Sequence, residues 1–165
     1  KMAGEEYVKN WCSQRNTTCL VLRLPLITGK QPPGNLGKLI KGIDTGRYLR
    51  VNKGRAKRSM VSAKDVAVFI AENYPQPGTY NLTDQIDPSF FEVEQKVCKL
   101  LNKQEPRNLP LFLAKILGKL GDVFSFLPVN SLLISKMTAD ITFSSKKATQ
   151  ELGWRPKPAL DSLEL

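Results

Sequence analysis

The chain has no histidine at all, and its three cysteines, Cys12, Cys19 and Cys98, show no C-x-x-C spacing. That leaves no zinc-binding set, and an odd number of thiols does not make a closed disulfide framework, so the cysteines read as free thiols of a reducing, cytoplasmic compartment. Acid is also short: 15 Asp and Glu stand against 25 Lys and Arg, for a net charge of +10. Missing too is any run of roughly 18 apolar residues, the length that spans a bilayer. Nor do the first residues show the charged-then-apolar order of a signal peptide. What is present is 165 residues with 41% hydrophobic content, enough for one domain-sized core and too much for a disordered chain.

The shortage of acid is local. Between Lys30 and Lys64 ten basic residues accompany a single acid, Asp44, and the remainder is close to balance. A nucleic-acid surface more often interleaves its cations with aromatics, whereas Tyr48 is the one aromatic in this stretch. One polyanionic ligand beside the segment accounts for the surplus more economically, and a solvated basic surface is the other reading.

Hydrophobic patterning alternates strands with helices. Over residues 2–14, Tyr7, Val8, Trp11 and Cys12 share one helical face, which predicts a helix that packs this face on the core. Residues 19–27 are nearly all apolar, as in a strand buried on both faces of a parallel sheet. Pro25 cannot donate a ladder hydrogen bond, so the strand finishes by Leu24 or opens into a loop over 28–37. Arg23 inside so apolar a run calls for a buried partner. A short helix follows at 36–43, a strand at 48–51, a basic turn at 52–57 and a strand at 59–62. Asp65 then caps or begins a helix with Val66, Phe69 and Ile70 on one face. A strand at 79–82 and a helix over 88–101, with Pro88 at its first position, come next. From 111 to 127 Lys115, Lys119 and Asp122 fall on one narrow stripe of an otherwise apolar helix. Core or oligomer packing is one reading of it, and a helix lying in a membrane interface the other. A strand-like stretch at 141–143 and a helix over 144–152, stopped by Gly153, close the chain. The pattern predicts an α/β fold with a helix-rich second half.

Five segments carry a family resemblance when taken in order. They are Lys1 with Glu5 four positions on; Arg23-Leu24-Pro25-Leu26-Ile27-Thr28-Gly29; Gly34-Asn35-Leu36; Arg58, a short strand, and Asp65-Val66-Ala67; and Leu152-Gly153-Trp154-Arg155-Pro156. Together they resemble the C-terminal portion of the extended short-chain dehydrogenases, the NAD-dependent epimerases and dehydratases typified by UDP-galactose 4-epimerase. The resemblance implies the C-terminal part of a Rossmann-type parallel sheet over residues 1–87 and a mostly helical substrate-binding subdomain over 88–165. It makes Lys1 the catalytic lysine of a Tyr-x-x-x-Lys motif, which binds the nicotinamide ribose and lowers the pKa of the tyrosine. Pro25, Leu26 and Thr28 then lie beside the cofactor, beyond the carboxyl end of a strand. Asn35 and Leu36 contact the nucleotide sugar, although Asn35 also suits a helix cap. Val51 stands where an aromatic often flanks the base, and Arg58 binds the diphosphate through its fork of donors. No metal is implied. Where the family has an Arg-x-Gly-Asp-like element, this chain reads Lys136-Met137-Thr138-Ala139-Asp140, so a second phosphate arginine is not identified.

The glycine-rich turn for the dinucleotide and the tyrosine would both precede Lys1, and no G-x-G-x-x-G occurs here. The expectation is a parent enzyme that uses NAD or NADP on a nucleotide sugar, with neither tight cofactor binding nor turnover by this chain alone. No nucleic acid and no membrane partner is expected. Without its sheet neighbours the strand at 21–24 favours a homodimer or a self-associating fragment. Two alternatives stand beside this reading. One is a non-catalytic anion-binding module for nucleic acid or an acidic glycan, and the other is an epimerase of a lipid-diphosphate-linked sugar.

Overall fold

Pro25 sets the first break in the chain. In a computed structural model that describes residues 2–72, 76–124 and 129–165, and of Met2 only the backbone, β1 (Leu20–Arg23) stops just before it. β1 pairs in parallel with β5 (Gly78–Asn81), Leu20 opposite Gly78 and Arg23 opposite Asn81. Past the proline the chain does not open into a loop at once. It re-enters as β2 (Leu26–Thr28), parallel to β4 (Met60–Ser62). A third parallel pair joins β3 (Arg50–Val51) to β6 (Asn108–Leu109).

The helices are α1 (Met2–Gln14), α2 (Gly34–Asp44), α3 (Ala63–Glu72), α4 (Phe90–Leu101), α5 (Leu111–Val123), α6 (Ser131–Thr138) and α7 (Lys146–Leu152). Parallel pairs separated by helices are the α/β arrangement that the patterning predicts. α4 begins two residues later than Pro88 suggests. Ser89 accepts from the Glu92 N–H and the Glu92 carboxylate accepts from the Ser89 N–H, which satisfies two otherwise orphaned donors. Asp65 does not cap α3 but lies in its first turn, where its carboxylate accepts the Lys157 N–H at 2.8 Å. Residues 141–143 form a single bridge, Ile141 to Arg58, in place of a strand.

Two larger clusters make the core. One gathers Leu36, Leu39 and Ile43 of α2 with Met60, with Val93 and Val97 of α4, and with Ala159 and Leu163. It therefore joins residues from both sides of position 88. The other centres on Trp154, 2% exposed, whose ring meets Phe69 edge-on at 5.1 Å and whose indole N–H donates to the Thr83 carbonyl. A smaller cluster of Val51, Ala114 and Ile134 fastens α5 and α6 to β3. No helix among the described residues is long and apolar enough to cross a membrane.

Two burial expectations fail, those for the α1 face and for Arg23, and on the helices a stripe shows which residues share a face, not what that face meets. Ile70 is exposed on α3. On α1, Tyr7 is 71% and Trp11 42% exposed, and Cys12 at the edge of the stripe is the residue that is buried. Arg23 has found its partner, but on the surface, where it donates twice to Glu5 at 2.7 and 3.0 Å. Among the described residues β1 has only β5 beside it and offers α1 no broad apolar surface. The ion pair therefore ties the helix down.

That tether is acid-sensitive. Hydrogen bonds from Arg23 and then Lys9 hold the Glu5 carboxyl at about 2, against an ordinary value of 4.5. A depressed carboxylate stabilises the fold fully above its unfolded value and loses that effect as pH falls through the folded one. The Trp11 indole resonance should therefore report a step centred near pH 2 that Glu5→Gln removes. A step near pH 4.5, or its persistence in the variant, would refute the tether.

Candidate functional site

The basic segment turns outward on three successive left-handed residues. Asn52, Lys53 and Gly54 have φ of 50, 59 and 64°, which brings the chain leaving β3 against the start of α4. Only glycine fits the last of them, since a Cβ there would sit 2.8 Å from the Phe91 nitrogen. Four bonds pin the turn. The Lys53 N–H donates to Asn108 Oδ1 at 2.7 Å and the Lys57 N–H to Asp140 Oδ1 at 2.8 Å. The Phe90 N–H donates to the Ala56 carbonyl, and the Arg58 N–H to the Pro88 carbonyl. With its backbone held, the turn exposes the side chains of Lys53, Arg55 and Lys57. They stand with Arg50, Phe91 and Asn108 around a cavity of about 610 Å³.

Arg50 forms the buried wall. Its Nε donates to Glu94 Oε2 at 2.5 Å, its Nη2 to Glu105 at 3.0 Å, and its guanidinium lies 4.6 Å over the Phe91 ring. Burial works against its charge, but the hydrogen bonds it donates to Glu94 and Glu105 outweigh this and hold its pKa above the ordinary value. Glu94 is fully buried and also accepts the Tyr48 hydroxyl at 2.8 Å. Burial, reinforced by the Glu94 charge, pushes the Tyr48 hydroxyl well above the usual phenol range. Arg50 is thus matched within the protein, while Lys53, Arg55 and Lys57 are not in any ion pair found among the described residues. The acid at the rim, Glu92, is held by Ser89 hydrogen bonds that lower its pKa. Three outward cations thus border one cavity that Glu92, which feels the Lys57 charge, also lines, an arrangement with a local surplus of positive charge.

Arg58 faces the other way. It is 6% exposed, its Nη1 donates to the Lys57 and Ala139 carbonyls at 2.6 Å, its Nη2 donates to the Lys136 carbonyl, and it lies over the Phe90 ring. Burial lowers its pKa and Asp140 opposes this. The segment that departs from the family's Arg-x-Gly-Asp-like element is therefore the one that receives Arg58. Val51 and Leu36 are buried in two different core clusters, and Asn35 is exposed in the first turn of α2. None of the three lines the cavity. Pro33, not Asn35, is the residue before that helix. Pro25 and Leu26 are half-buried, and the Thr28 hydroxyl is turned inward onto Ala159 and Ser162 at 2.7 Å. Lys1 lies outside the described residues. Among those described no group of three or more His, Cys, Asp or Glu could hold a metal. Charge composition finds the segment but not Lys53, Arg55 and Lys57 as its outward members; Asn52 and Gly54, residue types that tolerate positive φ, are the signal for the turn that carries them.

The fold defines a class of architecture: the chain is similar to about half the length of solved nucleotide-sugar epimerases, consistent with the C-terminal portion that the motifs resemble. No family model matches it. In sequence it is 26% identical over 159 residues to the N-acetyl-alpha-D-glucosaminyl-diphospho-ditrans,octacis-undecaprenol 4-epimerase of Escherichia coli O157:H7, across 89% of this chain and 48% of that protein. In structure it is similar to the UDP-glucose 4-epimerase of Thermotoga maritima solved with UDP-glucose, with a TM-score of 0.68 and 16% identity, over 98% of this chain and 48% of the other. The Thermus thermophilus UDP-glucose 4-epimerase solved with NAD gives a TM-score of 0.62 at 17% identity, over 97% and 51%. The chain spans about half the length of the relatives it matches.

Proposed function

We propose that this chain is the sugar-diphosphate-binding half of an NAD(P)-dependent nucleotide-sugar epimerase or dehydratase. The observation that carries the reading is the cavity bordered by Lys53, Arg55 and Lys57, on a turn whose shape depends on Gly54. A diphosphate suits it, because several cations carried on one held backbone turn beside a common cavity favour a compact polyanion over a singly charged ligand. In this reading the three outward cations meet the diphosphate. Arg58, which the resemblance assigns to that group, supports the turn from behind. Asn35, Leu36 and Val51 are proposed on the sugar and base side, and Lys1, Pro25, Leu26 and Thr28 on the nicotinamide side. The cofactor accepts and returns a hydride at the sugar in such enzymes. Its pyrophosphate needs a glycine-rich turn that this sequence lacks, so NAD(P) is proposed for the longer protein. A second reading, a sugar on a lipid diphosphate, is supported by the substrate in the name of the Escherichia coli relative.

Calorimetry on the full-length protein with UDP, dTDP and GDP sugars tests both. Binding of one of them, weakened about 10- to 100-fold by Arg55→Ala or Lys57→Ala, is the expected result, since hydrogen bonds to charged groups contribute about 1.5–3 kcal/mol each. If Arg58→Lys lowers affinity without lowering the melting temperature, Arg58 touches the ligand itself. No binding by any nucleotide sugar rejects the leading reading, and binding of a short-chain polyprenyl-diphospho-sugar in its place establishes the second.

A further inference from the structure

The α5–α6 hairpin is built inside out. On α5 the residues turned toward α6 are small: Ala114 and Gly118 are buried. A Cβ on Gly118 would come within 3.2 Å of the Ser131 backbone, and one on Gly121 within 1.5 Å of the Val129 carbonyl oxygen. This close approach, with Ile134 of α6 seated against Gly118, leaves no room for the large side chains of α5 between the helices, so they are on the outside. Phe112 is 63%, Ile116 52%, Leu120 44% and Val123 75% exposed, and Leu132 of α6 adds 62%. At 100° per residue Phe112, Val123, Ile116 and Leu120 lie within one 80° arc, an apolar face without a polar residue. Lys119 and then Lys115 border that arc on one side, and both are exposed. The one acid of α5, Asp122, is turned back and accepts the Ser131 N–H at 3.0 Å.

We infer that this face lies in the surface of an anionic bilayer, with α5 parallel to the membrane plane. A helix that presents bulky apolar residues outward and lysines along its flank has the character of an interfacial anchor, and the lysines complement acidic headgroups. A second copy fits less well. In a two-fold contact each face meets itself, which sets Lys115 and Lys119 near their own copies with Asp122 already engaged. The hairpin is fastened to the site through the shared cluster of Val51, Ala114 and Ile134, so docking would hold the basic cavity close to the headgroups. The inference does not depend on the proposed activity, because it needs neither nucleotide nor sugar.

The test is co-sedimentation of this chain with vesicles of phosphatidylcholine alone and of phosphatidylcholine with phosphatidylglycerol. The expected result is binding to the anionic vesicles that weakens with salt, falls about fivefold for each of Lys115→Ala and Lys119→Ala, and is lost in Ile116→Glu/Leu120→Glu. Both glutamates replace exposed residues, and an unchanged circular dichroism melting curve shows that the fold is kept. If the unmodified chain stays in the supernatant, or the folded double variant binds as well as it does, the inference is wrong. It is equally overturned if the double variant turns a dimer into a monomer while vesicle binding is absent, which would assign the face to a second copy.

Discussion

Glu94→Ala should cost about 3–5 kcal/mol, the expected cost of breaking a buried pair from one side. A domain of this size holds roughly 5–15 kcal/mol in total and shifts its melting temperature by about 2–4 °C per kcal/mol, so the variant should melt about 6–20 °C lower. Glu94 is fully buried and serves two partners, the Arg50 guanidinium and the Tyr48 hydroxyl. Without it Arg50, 8% exposed, keeps only the half-exposed Glu105, and the Tyr48 hydroxyl loses its acceptor in an apolar setting. Removing both charges is a different matter, because no buried ion is then stranded. Arg50→Met/Glu94→Leu should recover more than half of the loss. Urea unfolding followed by circular dichroism distinguishes the cases. A Glu94→Ala loss under 1 kcal/mol, or a double variant no better than the single, would show that Arg50 does not depend on this carboxylate.

The same pair shows where the sequence stops being legible. Helices α2 and α4 could be read from Leu36, Leu39 and Ile43 and from Val93 and Val97, since their apolar spacing and their burial agree. The end of α7 was visible in Gly153, which takes φ of 68°. The basic stretch was visible as charge alone, and the expectation of an anionic ligand beside it rested on that charge. Which of its cations remain available was not visible. Arg50 is matched by acids 44 and 55 residues away, and Arg58 by carbonyls about 80 residues away. Those pairings are made by the packing of α4 and α6 against the turn, and no local pattern encodes them. α5 was legible only in part. Its stripe was counted correctly, but packing and a membrane interface stood as alternative readings of its apolar remainder, and it is Ala114, Gly118 and Gly121, which admit the neighbouring backbone, that turn the large residues outward. Small residues in a helix interior lower hydrophobicity while raising packing, and a hydrophobic face read from the wheel does not separate the two.

Gly54→Ala should damage stability and ligand binding together, by about 2–5 kcal/mol in the first and at least tenfold in the second. Two costs combine. A side chain at φ of 64° is strained by about 1–2 kcal/mol, and its Cβ would lie 2.8 Å from Phe91 N and 3.1 Å from Phe91 Cα, where overlap with backbone costs about 1–3 kcal/mol. The turn can relieve that overlap only by lifting off α4. Doing so separates Arg50 from the Phe91 ring and moves Lys53, Arg55 and Lys57 out of register with one another. Gly46→Ala supplies the control, because Gly46 has φ of 69° and nothing within 4 Å of the added Cβ. It should show the strain alone, about 1–2 kcal/mol, and leave nucleotide-sugar affinity unchanged. Denaturation and calorimetry on the two variants then separate backbone strain from the contact with α4. If both lose stability equally and neither loses affinity, the turn does not arrange the cations and the anion site lies elsewhere. If Gly54→Ala alone loses affinity, the three cations act because this turn holds them together, and not merely because the segment is basic.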